Sequence, residues 1–134
     1  KDDRASQSLG IEVLAVGPGS ATLRMVVRAD MLNSHRICHG GLMTTLADSA
    51  FAFACNAYNE STVAAGFDVN IIASARLGDV LTATATELAR TRRTGIYDIE
   101  LRDQNGRRLL AFRGRSMTLL GTHIVPTLRS TRGD

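Results

Sequence analysis

Apolar residues in this chain recur first at every second position, then in one nearly unbroken run, and then at every second position again. Leu9, Ile11 and Val13 begin a two-residue period that stops at Gly17-Pro18-Gly19, which predicts a strand followed by a tight turn. Between Ala21 and Arg28, Leu23, Met25 and Val27 stand against Thr22, Arg24 and Arg28, the pattern of a second strand with one apolar face. Ahead of both, Asp3 to Leu9 predicts a short helix.

The pattern lapses between Asp30 and Cys38, where Asn33, Ser34, His35 and Arg36 suit a loop that runs into His39-Gly40-Gly41. From Leu42 the run LMTTLADSAFAFACNA is rich in Ala and Leu and apolar nearly all round, which predicts a helix buried on most sides. Strand-like stretches follow at Val63–Ala73, Val80–Leu88 and Gly95–Arg102, and Asn105-Gly106 marks a hairpin before a last strand, Arg107–Leu120. Two strands, one long helix and four strands joined by short turns describe an α+β domain whose antiparallel sheet wraps one helix. The expectation is one domain over residues 1–134 with its core at about 9–120, and an irregular, partly disordered polar tail from Gly121 to Asp134.

Composition narrows the function. A chain of 134 residues with 44% hydrophobic content can build one core, but aromatics make up 4% and Trp is absent, which argues against stacking platforms for nucleic acid. The net charge of +3 rests on many arginines, whose planar forks suit phosphate and carboxylate, so a small polyanionic ligand is as plausible a partner as nucleic acid. Residues 1–7 are polar, and the apolar run from Leu42 to Ala57 is shorter than the roughly 20 residues of a membrane span. With Cys38 and Cys55 read as reduced thiols, the expectation is a soluble cytoplasmic protein without nucleic-acid or membrane partners.

The chemistry centres on Asp48, the one carboxylate between His39 and Asn59. Burying it unpaired would cost several kcal/mol in order of magnitude or force its pKa upward. Alternatively it lies on a single solvated stripe of the helix or caps a neighbouring loop. Gly40 and Gly41 stand where free N–H groups and the positive end of the helix dipole point outward, and glycine lets a ligand approach that backbone, an arrangement suited to an oxyanion. The plain reading of this pair is a loop-to-helix turn, and that of His39 a structural hydrogen-bonder. Gly40 precedes Asp48 by eight residues, ~12 Å along a helix at ~1.5 Å per residue. That separation is too long for one carbonyl to meet both within a protomer, and points to a site completed by two chains.

Three stretches of the run, Cys38-His39-Gly40-Gly41, Leu46-Ala47-Asp48 and Ala50-Phe51-Ala52-Phe53-Ala54-Cys55-Asn56, resemble the signature of hot-dog thioesterases of the phenylacetate-degradation (PaaI) type. Thr94–Ile99 and Phe112–Ser116 are similar to that group as well, and the likeness runs from about Leu9 to Leu120. The resemblance implies a hot-dog fold, hot-dog dimers that assemble into a homotetramer, and hydrolysis of acyl-coenzyme A, with aryl-acyl esters such as hydroxyphenylacetyl-CoA favoured. It implies Asp48 as general base or nucleophile, Gly40 as backbone donor to the thioester carbonyl, and His39 and Asn33 in support, Asn33 helping to position the attacking water or the carboxylate. It also implies contacts to substrate from Gly41, Asn70, Arg90, Arg93, Thr94, Gly95, Arg113 and Arg115. Coenzyme A is then part of the substrate, and no separate cofactor is expected. Two positions depart from relatives: Ala52 stands where some carry a hydroxyl one turn after the carboxylate, and Gly66 near where others place a serine.

Arg90, Arg92, Arg93, Arg113 and Arg115 lie at turns or on the last strand, where they either meet coenzyme A phosphates or form solvated surface. His35, Cys38 and His39 suggest zinc, but a tetrahedral site needs a fourth ligand and Cys55 lies well inside the helix, so no metal is expected. A cysteine hydrolase built on Cys38 and His39 is disfavoured because adjacent residues of an extended segment point apart. The competing functions are a non-catalytic acyl-CoA sensor, for which 134 residues leave no output domain, and a hot-dog hydratase, against which no His follows Asp48 before His123.

Overall fold

The computed structural model describes residues 3–123. Helix α1 (Arg4–Ser8) is capped by Asp3, whose carboxylate accepts the Ser6 N–H at 3.1 Å. Strands β1 (Glu12–Gly17) and β2 (Ser20–Val26) form a hairpin. Its turn needs Gly19, which has φ +75° and where a Cβ would stand 2.9 Å from the Tyr58 hydroxyl. A 3-10 turn at Ala29–Met31 leads through a loop into α2 (Gly40–Asn56), and then come β3 (Glu60–Ile71), β4 (Val80–Arg90), β5 (Thr94–Arg102) and β6 (Arg108–His123).

All six strands lie in one antiparallel sheet in the order β1-β2-β4-β5-β6-β3. The chain therefore leaves β2, crosses the sheet as α2 and re-enters at the far edge as β3. The α+β arrangement expected from the sequence, a sheet wrapped around one helix, is what forms. Alternation selects the face: on β5, Gly95, Tyr97, Ile99 and Leu101 are buried against α2, while the residues between them are not. Met43, Leu46, Ala47, Ala50, Phe51 and Ala54 meet that face from the helix. Complete burial of a side chain such as Leu46 or Phe51 contributes roughly 1.5–3 kcal/mol.

Small residues let the helix approach. A Cβ at Gly114 would sit 2.8 Å from the Phe51 ring, and that ring packs 5.6 Å from Tyr97 and 5.8 Å from Phe112, centroid to centroid. At the far end of the helix, Asn56 ties α2 to β3: its Oδ1 accepts the Thr62 N–H at 2.9 Å and its Nδ2 donates to the Thr62 carbonyl at 3.2 Å.

Helix α2 is buried or half-buried over most of its surface, as its composition predicts, and Gly41, Asp48 and Ala52 form its exposed stripe. One expectation needs correction. Strand β6 continues through His123, which pairs with Glu60, so residues 121–123 belong to the sheet and not to a tail. The remainder of the expected tail, 124–134, lies outside the described residues.

Candidate active site

The loop before α2 is built around Asn33. Its side-chain oxygen accepts the N–H groups of His35 at 2.9 Å and Ile37 at 3.3 Å, and its own N–H donates to the Ile37 carbonyl at 2.9 Å. Arg36, with φ +61°, completes the reversal. The Cys38 N–H then donates to the Ala75 carbonyl and the His39 N–H to the Met31 carbonyl, at 2.8 and 2.9 Å, which fixes where the helix begins. His39 is the N-cap, yet its side chain makes no capping bond and is exposed.

Capping by His39 would have engaged one N–H of the first turn. Without it, the N–H groups of Gly40 and Gly41 find no acceptor among the described residues and remain available at the positive end of the helix. The tip of Ile71, at the end of β3, fills the space that a side chain at Gly40 would occupy. Glycine there is required by that contact as much as by the turn.

Two turns along, Asp48 opens on the exposed stripe of α2. No described residue donates a hydrogen bond to its carboxylate. Desolvation by the surrounding protein and, second, the negative charge of Asp3 raise its pKa above the ordinary aspartate value. The next residue, Ser49, is buried and meets Ser6 of α1, Oγ to Oγ at 3.0 Å. One protomer thus carries a carboxylate at Asp48 that no described residue engages and unengaged N–H groups at Gly40 and Gly41, two turns apart on one helix.

Residues 35–110 match the family model described as the thioesterase superfamily. The chain belongs to the thioesterase superfamily. It is similar to the acyl-coenzyme A thioesterase PaaI of Escherichia coli K12, with 39% identity over 122 residues covering 91% of this chain and 87% of that protein. The solved structure of the E. coli PaaI protein from the phenylacetic acid degradation operon superposes with a TM-score of 0.88 at 40% identity, covering 90% of this chain and 88% of that one. A protein of Thermus thermophilus superposes at 0.85 with 35% identity, covering 89% of this chain and all of that one. The sheet and helix are the hot-dog thioesterase fold.

Within this thioesterase chain, Asn33, His39, Gly40 and Gly41 come together at the start of α2. The residues expected at coenzyme A fall at three further places. Arg90, Arg93, Thr94 and Gly95 lie at the β4–β5 turn, where the Arg90 guanidinium rests 3.6 Å from the Tyr58 ring centroid and the Thr94 and Thr91 hydroxyls bond at 2.7 Å. Gly95 is buried, and a Cβ there would stand 2.8 Å from both Ser116 Oγ and the Tyr97 ring. Asn70 and Arg113 line a concavity of about 440 Å³ on the outer face of the sheet, away from α2. Arg113 is engaged there as a bidentate donor to Asp98 at 2.6 and 2.8 Å. Arg115 is exposed over Gly66, its guanidinium taking the room a side chain at 66 would need.

Sequence reasoning did not find Ile71, nor the Ser6–Ser49 contact. Both join residues far apart in the chain, and neither carries a motif. Cys38 and Cys55 are buried and form no disulfide, and burial pushes the Cys38 thiol up, away from nucleophilic use. Among the described residues no three His, Cys, Asp or Glu side chains cluster as metal ligands would, and no helix is long and apolar enough to cross a membrane.

Proposed function

We propose that the chain hydrolyses acyl-coenzyme A at a site shared by two copies, in which Asp48 of one copy acts on a thioester carbonyl held by the Gly40 N–H of the other. That it is an acyl-CoA thioesterase rests on its 39% identity to E. coli PaaI across nine-tenths of its length. The observation that carries the site is the pairing of an unpartnered carboxylate with a raised pKa and two unengaged N–H groups on one helix, two turns apart.

As general base, Asp48 takes a proton from water while the water oxygen attacks the carbonyl carbon. The Gly40 N–H stabilises the oxyanion that forms. Collapse breaks the C–S bond, and the coenzyme A thiolate recovers the proton from Asp48. As nucleophile, the carboxylate would attack directly, expel the thiolate and form a mixed anhydride that water then opens. His39 and Asn33 hold the loop that delivers Gly40, and Asn33 Nδ2 remains free to orient water or the second copy's carboxylate. Water, one carboxylate and backbone N–H groups suffice for this reaction without a cofactor.

Self-association is part of the proposal. Edge strand β3 leaves Val63, Phe67 and Ile71 exposed, and Ile72 just past its end, an apolar edge of the kind a second strand covers. Two such dimers would form the tetramer through the outer face, where Asp68, Asp98, Glu100, Arg108 and Arg113 supply charges of both signs. An aryl-acyl substrate such as hydroxyphenylacetyl-CoA follows from the likeness to a protein of the phenylacetic acid degradation operon. Reduced buried thiols and a coenzyme A substrate fit the cytoplasm.

The test is release of free coenzyme A from a panel of aryl and fatty acyl-CoA esters by wild type and Asp48→Asn. Turnover by wild type alone supports the assignment and reveals the preferred acyl group. Tight binding without hydrolysis by either protein would replace it with an acyl-CoA sensor.

A further inference from the structure

We infer that Asp3 is a positioning residue of the thioesterase site: through Ser6 and Ser49 it fastens α1 against α2 and sets a second carboxylate beside Asp48. The inference rests on the proposed role of Asp48. It starts from the length of α1, which at five residues is far too short to hold itself helical. What holds it is a chain of hydrogen bonds. Ser6 Oγ donates its one hydrogen to Asp3 Oδ2 at 2.6 Å, so at the 3.0 Å contact with Ser49 the donor is Ser49. The direction runs from Ser49 to Ser6 to Asp3 and ends on a carboxylate, the strong kind of acceptor. Ser6 and Ser49 are each 8% exposed, so the link is sheltered from water that would otherwise compete for it.

Ser49 is the helical neighbour of Asp48, and fixing one fixes the turn that carries the other. The same hydrogen bonds, led by the Ser6 hydroxyl, hold the Asp3 carboxyl below the ordinary range, so it stays ionised while it opposes ionisation of Asp48. The two carboxylates are thereby separated in acidity, one a fixed charge and the other poised to take a proton. Other titratable groups about α2 are engaged or buried. Glu87 of β4 and Tyr97 of β5 bond each other at the C-terminal end of the helix, Cys55 bonds the Ala52 carbonyl, Glu60 of β3 is buried, and Glu12 of β1 pairs with Arg24 of β2. Among the described residues, Asp3 is the charge that shifts Asp48.

The measurement is the pH dependence of kcat/KM for acyl-CoA hydrolysis by the full chain, comparing wild type, Asp3→Asn and Ser49→Ala, with Asp48→Asn as reference. Asp3→Asn keeps an oxygen to accept from Ser6 but removes the charge, so the acid limb should move to lower pH. Ser49→Ala releases α1 without touching that charge; kcat/KM should fall roughly fivefold, the worth of one hydrogen bond, and the limb should move the same way. If Asp48→Asn is inactive but both variants titrate like wild type, the role of Asp3 is overturned while that of Asp48 stands. If Asp48→Asn still turns over, the assignment of Asp48 fails and takes this inference with it.

Discussion

At the C-terminal end of α2 the carboxylate of Glu87 accepts the hydroxyls of Tyr58 at 2.8 Å and Tyr97 at 3.2 Å, whereas midway along the helix the carboxylate of Asp48 accepts nothing from any described residue. Glu87 also raises the Tyr97 pKa, after burial, so that phenol is a committed donor at every pH the protein meets. The two acids sit against the same helix and are treated in opposite ways. A satisfied acid joins elements; an unsatisfied one keeps its lone pairs for something outside the chain. On this contrast Glu87 belongs to the fold, and Asp48 is left open for the chemistry proposed for it.

Removing the carboxylate at Asp48 should have the largest effect. Asp48→Asn should lower kcat by about 10²–10⁴, the usual worth of a positioned acid or base, with the fold intact by circular dichroism. It should also raise Tm at neutral pH. The folded pKa of Asp48 lies above its unfolded value, so wild type loses stability as pH rises through the interval between them, and the asparagine variant does not. Its advantage should vanish in acid below the ordinary aspartate pKa; equal melting temperatures at pH 7 would contradict the raised pKa.

Next is Gly40→Ala, whose methyl group must displace Ile71 or the start of α2. A displacement near 1 Å at the oxyanion donor costs about 10²-fold in kcat/KM. Glu87→Ala should behave in the converse way, costing about 1–3 kcal/mol of stability by urea denaturation because the buried Tyr97 hydroxyl loses its acceptor, with kcat per folded molecule unchanged. A large loss of kcat there would erase the distinction between the two acids. Smallest of all should be Arg113→Ala, since an exposed pair with Asp98 contributes little. An unchanged KM for acyl-CoA is expected because Asp98 occupies that guanidinium; a clear rise would place Arg113 at the coenzyme A phosphates.

Much of this fold can be read in the chain because alternation and helical runs are local. Leu23, Met25 and Val27 face the core as their spacing predicts, and the helix begins at Gly40 as the loop before it suggests. Three features were not legible, each for its own physical reason. That Asp48 lies on an open stripe depends on which side of α2 the sheet covers, and composition does not encode that side. The commitments of Arg90 to Tyr58 and Arg113 to Asp98 are contacts between segments well separated along the chain, so a turn arginine and a strand arginine read alike until the strands are paired. The extension of β6 to His123 comes from Glu60 as a pairing neighbour, and the polar residues there carry no period of their own.

The two-chain site is tested most directly by mixing two impaired variants, Asp48→Asn and Gly40→Ala, under conditions that let subunits exchange. In a mixed dimer, Asp48 of the Gly40→Ala chain faces Gly40 of the Asp48→Asn chain, and that one site is intact. Acyl-CoA hydrolysis should therefore return to roughly a quarter of the wild-type rate, for random pairing with one good site in half the dimers. A mixture as impaired as its components, with exchange confirmed, would mean that both groups act within a single chain.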